Sequence, residues 1–238
     1  MTAQAQARCW GKRPLGGFDS ASAVLGSTIM GGGFIATQDV TSIALGEDHV
    51  CLLSKAGIVL CGGQNSDAQL GNDTTVTTAT DAPKPVAGLS KVKKIITSHS
   101  STMAFVAVDG VKTDVYRWGH DNTEKLATIF MTPEPFFSGV DLSKEDYFLE
   151  QYFRADLVSG KVFMKGDNSW GQMGKGATSD YETGWLPLSS IGGISLGPDN
   201  VCAWESGGRL WCWGRNEEGT VGNGETASSV NSPTLVKW

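Results

Sequence analysis

The sequence lacks any concentration of positive charge. The formal net charge is −6 at pH 7, and the densest basic stretches, residues 10–13 and 91–94, are both short. A protein that binds nucleic acid directly needs a positive face to neutralise phosphate groups. The sequence therefore predicts no direct nucleic acid partner.

Long apolar runs are also missing. No stretch approaches the roughly 18 consecutive apolar residues that a membrane-spanning helix needs, so we predict no membrane span. Residues 1–8 are polar and lack the apolar segment of a secretory signal, and no other targeting signal is visible. We interpret residues 1–8 as an N-terminal tail.

Residues that carry catalysis are scarce. Only three histidines occur. His49 is in the repeat phase of Ser101 and Asn200, polar residues that enter a strand, which favours a hydrogen bond to a neighbouring turn over catalysis. His99 and His120 have no cysteine or carboxylate at the spacing of a metal-ligand motif. The sequence contains no Gly-x-Ser-x-Gly nucleophile motif and no phosphate-binding loop motif. We therefore predict a protein that is not an enzyme and that has no cofactor and no metal site.

Glycine and tryptophan, by contrast, are plentiful. The chain has 31 glycines and 8 tryptophans among 238 residues, and hydrophobic residues make up 40%. The glycines are spread between short apolar stretches, which is typical of a chain of β-strands joined by tight turns. The composition thus favours an all-β fold with a substantial core.

One pattern repeats along the chain. A strand ends in an aromatic or apolar residue and a glycine, and a polar loop with Asn and Gly follows, as in residues 61–72, 165–176 and 212–224. The marker glycine recurs at intervals of about 50 residues, the size of one four-stranded propeller blade. Its copies are Gly11, Gly63, Gly119, Gly166 and Gly214.

The repeat predicts an all-β fold, a β-propeller of about four full four-stranded blades plus an N-terminal half blade. We place the full blades near residues 39–90, 91–141, 142–190 and 191–238, with the propeller as a whole covering residues 9–238. In this order the chain begins with the last two strands of one blade. Either the sequence is incomplete, or a partner chain completes the open blade, or the ring is open. We favour the first two, because an open strand edge promotes aggregation.

These motifs resemble the regulator of chromosome condensation repeat family, although several copies are divergent. The resemblance implies a propeller, because members of that family typically form seven-bladed propellers. Its best-known members exchange nucleotides on a small GTPase or bind chromatin, while similar propellers inhibit enzymes, sense light or scaffold assemblies. Family resemblance therefore indicates the fold better than the function.

We favour a non-catalytic protein-binding propeller that acts as a scaffold or accessory subunit of a larger assembly. Two alternatives stay open: guanine-nucleotide exchange on a small GTPase, and a secreted enzyme inhibitor or adhesin. Exchange would need an extended insertion and a reducing compartment, and the sequence indicates neither.

Four of the five cysteines form two pairs with the same spacing. Ten residues separate Cys51 from Cys61 and Cys202 from Cys212, and a turn glycine stands at the same place within each pair. Each pair is expected to face across a hairpin, where Cβ atoms come close enough for a disulfide. We predict two disulfides, with Cys9 left over, and hence an oxidising compartment. Two pairs of buried free thiols are the alternative.

The segment from residue 136 to residue 153 departs most from the repeat and combines aromatic with acidic residues. One interpretation is a solvated loop with a few core aromatics. The other is a partner-binding elaboration, since propellers vary their loops and aromatic residues make good anchors. On that interpretation the predicted partner-binding residues are Phe136, Phe137, Tyr147, Phe148 and Tyr152.

Overall fold

The computed structural model describes residues 7–9, 23–25, 40–71, 80–124 and 126–237. Every regular element in those ranges is a β-strand. The predicted all-β class and the four full blades are confirmed. No helix of the described chain has the length and apolarity to cross a bilayer.

The chain divides into two compact units. Unit 1 contains Met1–Asp121 and Thr128–Asp141, and unit 2 contains Asn122–Ala127 and Leu142–Trp238. Each unit holds two four-stranded antiparallel sheets, which we call blades 1 to 4 in chain order. Each blade is a simple meander in which consecutive strands pair.

Unit 1 carries blades 1 and 2 and a short two-stranded sheet. The short sheet pairs β1 (Ala7–Cys9) with β2 (Ala23–Leu25). Blade 1 consists of β3 (Val40–Leu45), β4 (His49–Ser54), β5 (Val59–Gly63) and β6 (Thr80–Pro85). Blade 2 consists of β7 (Val92–Thr97), β8 (Ser101–Ala107), β9 (Lys112–Asp121) and β10 (Thr128–Asp141).

Unit 2 carries blades 3 and 4. Blade 3 consists of β11 (Glu145–Leu149), β12 (Phe153–Val158), β13 (Lys161–Asn168) and β14 (Ser179–Trp185). Blade 4 consists of β15 (Ile191–Leu196), β16 (Asn200–Glu205), β17 (Leu210–Arg215) and β18 (Ser229–Leu235).

The predicted N-terminal features are described only in part. Residues 1–6, 10–22 and 26–39, which include Gly11, lie outside the described residues. The short sheet of β1 and β2 stands where we placed the half blade, and β1 takes in two residues that we assigned to the tail. The propeller boundary at residue 9 stays a prediction.

A side-chain amide organises the loop after the third strand in three blades. The Oδ1 atoms of Asn65, Asn168 and Asn216 accept hydrogen bonds from the backbone N–H five residues on, at 3.0, 3.0 and 2.9 Å respectively. All three amides are buried, and a buried amide left without partners would destabilise the fold. The asparagine of the repeat is therefore a loop-closing residue.

This loop in turn holds the neighbouring blade of the same unit. In unit 1 the indole N–H of Trp118 donates to the Gln69 carbonyl at 3.0 Å, and in unit 2 Trp213 donates to Gln172 at 2.7 Å. A Cβ atom on Gly71 would stand 2.5 Å from the Trp118 ring, so only glycine leaves space for the indole. Both tryptophans are fully buried, and each lies in the hydrophobic core of its unit.

The segment that we expected to interrupt the repeat is largely regular. Its first part belongs to β10, which pairs with β9 through three register shifts, and its second part contains β11. A turn at residues 142–144 separates the two strands. The bulges explain why the sequence pattern fails here, because each extra residue shifts the alternation of side chains between the two faces of the sheet.

Candidate protein-binding surfaces

An open groove lies between blades 3 and 4 in unit 2. Its volume is about 540 Å³, and Trp185, Trp211, Pro187 and Pro233 are among its lining residues. Trp185 also borders an adjoining apolar hollow of about 520 Å³. With 53% of its surface exposed, Trp185 is a large apolar side chain that the fold leaves open to solvent.

Both indoles of the groove are held in place. Trp185 ends β14 opposite Phe163 of β13, and the two rings pack edge to face with their centroids 5.4 Å apart. Trp211 donates its indole N–H to Oε1 of Glu205 at 2.8 Å. The aromatic surfaces of the groove are therefore ordered before any ligand arrives.

Glu205 is a buried carboxylate that accepts hydrogen bonds from two side chains. The Trp211 indole is one, and the guanidinium of Arg209 is the other, with Nε 2.8 Å and Nη2 2.7 Å from Oε2. The hydrogen bond from Trp211 and then the charge-assisted bonds from Arg209 hold the pKa of Glu205 below its ordinary value. Lys175, at the same groove, donates to the Thr183 carbonyl at 2.8 Å.

The three histidines all lie in unit 1, and their contacts are structural. His49 is buried and pairs with the Thr102 hydroxyl at 3.0 Å. His99 contacts the carboxylate of Glu47, and His120 lies 3.9 Å from Asp67. Across the described ranges, no group of three or more His, Cys, Asp or Glu residues is arranged to hold a metal ion.

Burial controls the charge of His49. Desolvation, with a smaller contribution from the charge of His99, lowers the pKa of His49 from 6.5 to about 4. His49 is therefore neutral at pH 7 and acts as a hydrogen-bonding core residue rather than as a cation.

The cysteines lie where the spacing places them. Cys51 faces Cys61 across β4 and β5, and Cys202 faces Cys212 across β16 and β17. The Sγ atoms are 2.03 Å apart in the first pair and 2.10 Å apart in the second, which is bonding distance. The first pair is fully buried, whereas Cys202 of the second is half-buried.

In unit 1, Phe136 and Phe137 are half-buried residues of β10. The guanidinium carbon of Arg117 lies 3.9 Å from the centroid of the Phe136 ring and 4.4 Å from that of Phe130. Phe136 therefore covers a cation of its own sheet, and only part of its surface is left for a partner.

In unit 2, the predicted residues divide between core and surface. Tyr147 is buried with 7% of its surface exposed, and its hydroxyl donates to Glu145 at 2.7 Å. Burial raises the pKa of the Tyr147 phenol. Phe148 packs against the core of the unit, whereas Tyr152 is 47% exposed in the turn before β12. Of these three, Tyr152 has the exposure that a contact residue needs.

Comparisons with known proteins agree with this architecture. The profile of the Regulator of chromosome condensation (RCC1) repeat matches residues 207–238. Human HERC2, an E3 ubiquitin-protein ligase, is 26% identical in an alignment 220 residues long that covers 85% of this chain and 4% of HERC2. The ultraviolet-B receptor UVR8 of Arabidopsis thaliana is 27% identical in an alignment 210 residues long that covers 84% of this chain and 46% of UVR8.

Solved structures give the same result. Prp20p from Saccharomyces cerevisiae superposes with a TM-score of 0.77 at 17% identity, covering 98% of this chain and 59% of Prp20p. Human WBSCR16 superposes with a TM-score of 0.64 at 22% identity, covering 85% of this chain and 54% of WBSCR16. This chain has a β-propeller fold and is similar to proteins with RCC1 repeats.

The RCC1-like fold does not by itself assign a partner. The chain spans less than half the length of HERC2 and UVR8, and the proteins that share its fold differ widely in what they do. The groove of unit 2 escaped sequence analysis because its two tryptophans belong to different blades. Their only sequence signal is that Trp185 and Trp211 stand outside the Trp-Gly marker of the repeat.

Proposed function

We propose that this RCC1-like propeller binds a protein partner without catalytic activity of its own, as a scaffold or accessory subunit of a larger assembly. The observation that carries the proposal is the groove of unit 2, where Trp185 is exposed yet held in position by Phe163. Ordered tryptophans and arginines are enriched among the residues that dominate protein–protein binding energies. Tyr152, on the same unit, is a second exposed aromatic candidate.

Protein binding by a related fold is consistent with the proposal. Prp20p binds Gsp1p and histones. That likeness is one of fold, at 17% identity, so it gives no reason to transfer either partner to this chain. The nucleotide-exchange alternative therefore stays a prediction, and release of fluorescent GDP from a panel of small GTPases tests it.

The proposal also includes the compartment of the protein and the completion of its open blade. The two cysteine pairs at bonding distance favour an oxidising compartment, where such bonds persist. That a partner completes the open blade also stays a prediction.

The test uses the full chain as bait. Proteins captured from native extract by the parent chain are compared with those captured by Trp185→Ala. Trp204→Ala is the matched control, because Trp204 is 44% exposed and is not among the residues that line the groove.

A captured protein is then purified, and its affinity for the parent chain and for each of the two variants is measured by calorimetry. We expect roughly thirtyfold weaker binding for Trp185→Ala, as for a central anchor, and no change for Trp204→Ala. Equal affinities for the parent and Trp185→Ala contradict the proposal for this surface.

A further inference from the structure

We propose that the junction of blades 1 and 2 in unit 1 is an acid-sensitive joint, which opens as the pH falls from about 7 to about 5 while the junction of blades 3 and 4 stays closed. The inference goes beyond the proposed function, because the groove belongs to unit 2 and the joint to unit 1.

All three histidines of the chain make contacts across the junction of blades 1 and 2. His49 belongs to β4 of blade 1, whereas His99 and His120 belong to blade 2, in the turn before β8 and in β9. Histidine is the side chain whose ordinary titration falls between pH 5 and 8. The carboxylates beside the histidines come from blade 1 and are those of Glu47 and Asp48 in the turn after β3 and Asp67 in the loop after β5.

The closed junction holds His49 as a neutral imidazole. The side chain is buried, Nε2 pairs with the Thr102 hydroxyl at 3.0 Å, and Nδ1 has no hydrogen-bond partner among the described residues. A protonated imidazole carries an N–H on both nitrogens, so Nδ1 would become a buried donor without an acceptor. Burial and then the charge of His99 lower the pKa of His49 from 6.5 to about 4, and only the backbone of His99 acts in the opposite direction.

Opening the junction removes this restriction on His49. An imidazole in water is protonated below its ordinary pKa of about 6.5, so acid favours the state in which water reaches the ring. Neutral His49 therefore stabilises the closed junction above about pH 6.5, and this stabilisation is lost as the pH falls towards about 4.

Two partly exposed contacts at the same junction oppose the opening. His99 contacts the Glu47 carboxylate, and His120 lies 3.9 Å from Asp67. Protonation of the imidazole turns each contact into an ion pair, which favours the closed state. Pairs of this exposure stabilise by a factor of about five at most, whereas the shift of the His49 pKa corresponds to a factor of roughly 300. The buried histidine therefore determines the direction of the response.

The matching junction in unit 2 has an apolar pair at its centre. Phe153 stands at the position of His49, because each is the strand partner of the marker glycine of its blade. Val201 stands at the position of Thr102, one residue after the strand partner of the marker glycine. Phe153 and Val201 are fully buried in the core of unit 2 and carry no titratable group.

The two outer contacts also have no histidine at the matching positions of unit 2. The residues at the positions of Glu47, His99, Asp67 and His120 are Gln151, Pro198, Trp170 and Arg215 respectively. The guanidinium carbon of Arg215 lies 4.5 Å from the centroid of the Trp170 ring, and Arg215 also pairs with Asp199 and Glu217. An arginine keeps its charge at every pH in this range, so these contacts do not change between about pH 7 and about pH 5.

Opening of the joint would expose apolar surface. The hydrophobic core of unit 1 spans the junction, with Leu53 and Val59 from blade 1 and Ile95 and Trp118 from blade 2. All four side chains are buried in the closed state. Acid would therefore present an apolar surface of unit 1 that is covered at neutral pH.

Hydrogen exchange of the full chain, followed by mass spectrometry of its peptides, tests the joint. Each exchange rate at about pH 7, 6 and 5 is compared with the rate of the unstructured chain at the same pH, which gives a protection factor. We expect the protection factors of β4 and β8 to fall on the order of tenfold between about pH 7 and about pH 5. Those of β12 and β16, the matching strands of unit 2, should change less than about threefold.

Substitutions separate the two contributions at the junction. His49→Asn, which copies Asn200 of blade 4, should reduce the fall to less than about threefold, because asparagine does not titrate. The double variant Glu47→Gln and Asp67→Asn should make the fall steeper, because it loses only the ion pairs that oppose opening. Circular dichroism at neutral pH verifies that each variant is folded, and His49→Gln replaces His49→Asn if the latter does not fold.

Three results would overturn the inference. They are unchanged protection of β4 and β8 in the parent, an equal fall in β12 and β16, and a fall in the folded His49 variant as large as in the parent. None of these measurements involves the groove. The proposed function is decided separately by the partner affinity of Trp185→Ala, so the failure of one proposal leaves the other standing.

Discussion

At the scale of single residues, one position of the repeat carries a titratable side chain in one blade and a non-titratable one in another. The first turn of each blade brings a backbone N–H to a carbonyl three residues on, as from Gly46 to His49 and from Gly197 to Asn200, both at 2.9 Å. The residue whose carbonyl accepts this hydrogen bond differs between blades. It is His49 in blade 1 and Asn200 in blade 4. Of these two side chains only the histidine titrates, so this position gives blade 1 a pH dependence that the same position in blade 4 does not give.

The stability of the protein should fall as the pH drops through the window from 6.5 to about 4. In this window the unfolded chain protonates His49, whereas the folded chain, with a His49 pKa of about 4, does not. The contribution is fully present above pH 6.5 and amounts to roughly 3 kcal/mol for a shift of this size. The difference between the free energies of unfolding in urea at about pH 7 and at about pH 4.5 measures this contribution. His49→Asn, which copies blade 4, should flatten the profile, and an unchanged slope in this variant contradicts the assignment.

Tyr147 and Tyr152 should separate stability from binding. Tyr147→Ala removes a buried ring and leaves a cavity, so we expect a loss of about 3 kcal/mol in the free energy of unfolding. Tyr152→Ala changes an exposed residue, so unfolding should shift by about 0.5 kcal/mol or less, while binding of a purified partner weakens if the turn is an interface. Denaturant unfolding and calorimetry check the two effects. Equal partner affinity for the parent and Tyr152→Ala would remove this turn from the interface.

At the scale of strands and loops, the repeat phase predicted a large part of the fold. The marker glycines predicted the position of the third strand in each full blade. They do so because one repeat of about 50 residues is one blade, so the same residue recurs at the same place in every blade. Gly63 illustrates the reason: its φ is +114°, and a Cβ atom there would lie 2.5 Å from the Asp48 carbonyl oxygen. The paired cysteines followed from the same phase, since equal spacing around a turn puts both residues at one register position.

Two features of the elements could not be obtained from the sequence. The bulges of β10 break the alternation of apolar and polar residues, so the segment seemed irregular although it pairs along its length with β9. The face of β11 was also undetermined. The adjacent Tyr147 and Phe148 must point to opposite sides of a strand, and only packing decides that Tyr147 is the more buried.

The two cysteine pairs should differ in their response to reductant. Alkylation under denaturing conditions without reductant should label one cysteine, Cys9, and full reduction should expose four more. As the concentration of a dithiol reductant is raised in steps, the Cys202–Cys212 disulfide should be reduced before the Cys51–Cys61 disulfide. The reason is that Cys202 is half-buried, whereas both cysteines of the first pair are fully buried. Loss of either bond should lower stability by roughly 2–3 kcal/mol. Peptide mapping resolves the order, and labelling of all five thiols without reductant would refute both disulfides and the oxidising compartment.

At the scale of the whole chain, family resemblance predicts the architecture and leaves the binding surface undetermined. The core positions of a blade are dictated by the repeat, so they are visible in one sequence. The groove arises only when β14 of one blade and β17 of the next contribute Trp185 and Trp211 to a common trough. Such a site depends on a pair of positions that the repeat does not specify, which is why structure was needed to find it.

The overall charge makes a prediction about nucleic acid. With 25 acidic and 19 basic residues, the chain has no excess of cations with which to neutralise phosphates. Several of its basic groups are also already paired with carboxylates, as Arg215 is with Glu217 and Lys165 is with Glu124. We therefore expect no retardation of duplex DNA in a gel-shift assay at physiological salt, where non-specific complexes of basic proteins have dissociation constants of about 10⁻⁴ to 10⁻⁶ M.

The control is the same assay at low salt. The affinity of a surface that binds phosphates falls steeply as the salt concentration rises, and the logarithm of the binding constant falls with the logarithm of the salt concentration with a slope of about −0.9 for each phosphate contact. Retardation at low salt with such a slope would show a basic surface that the net charge conceals, and would reopen a nucleic acid partner for this propeller.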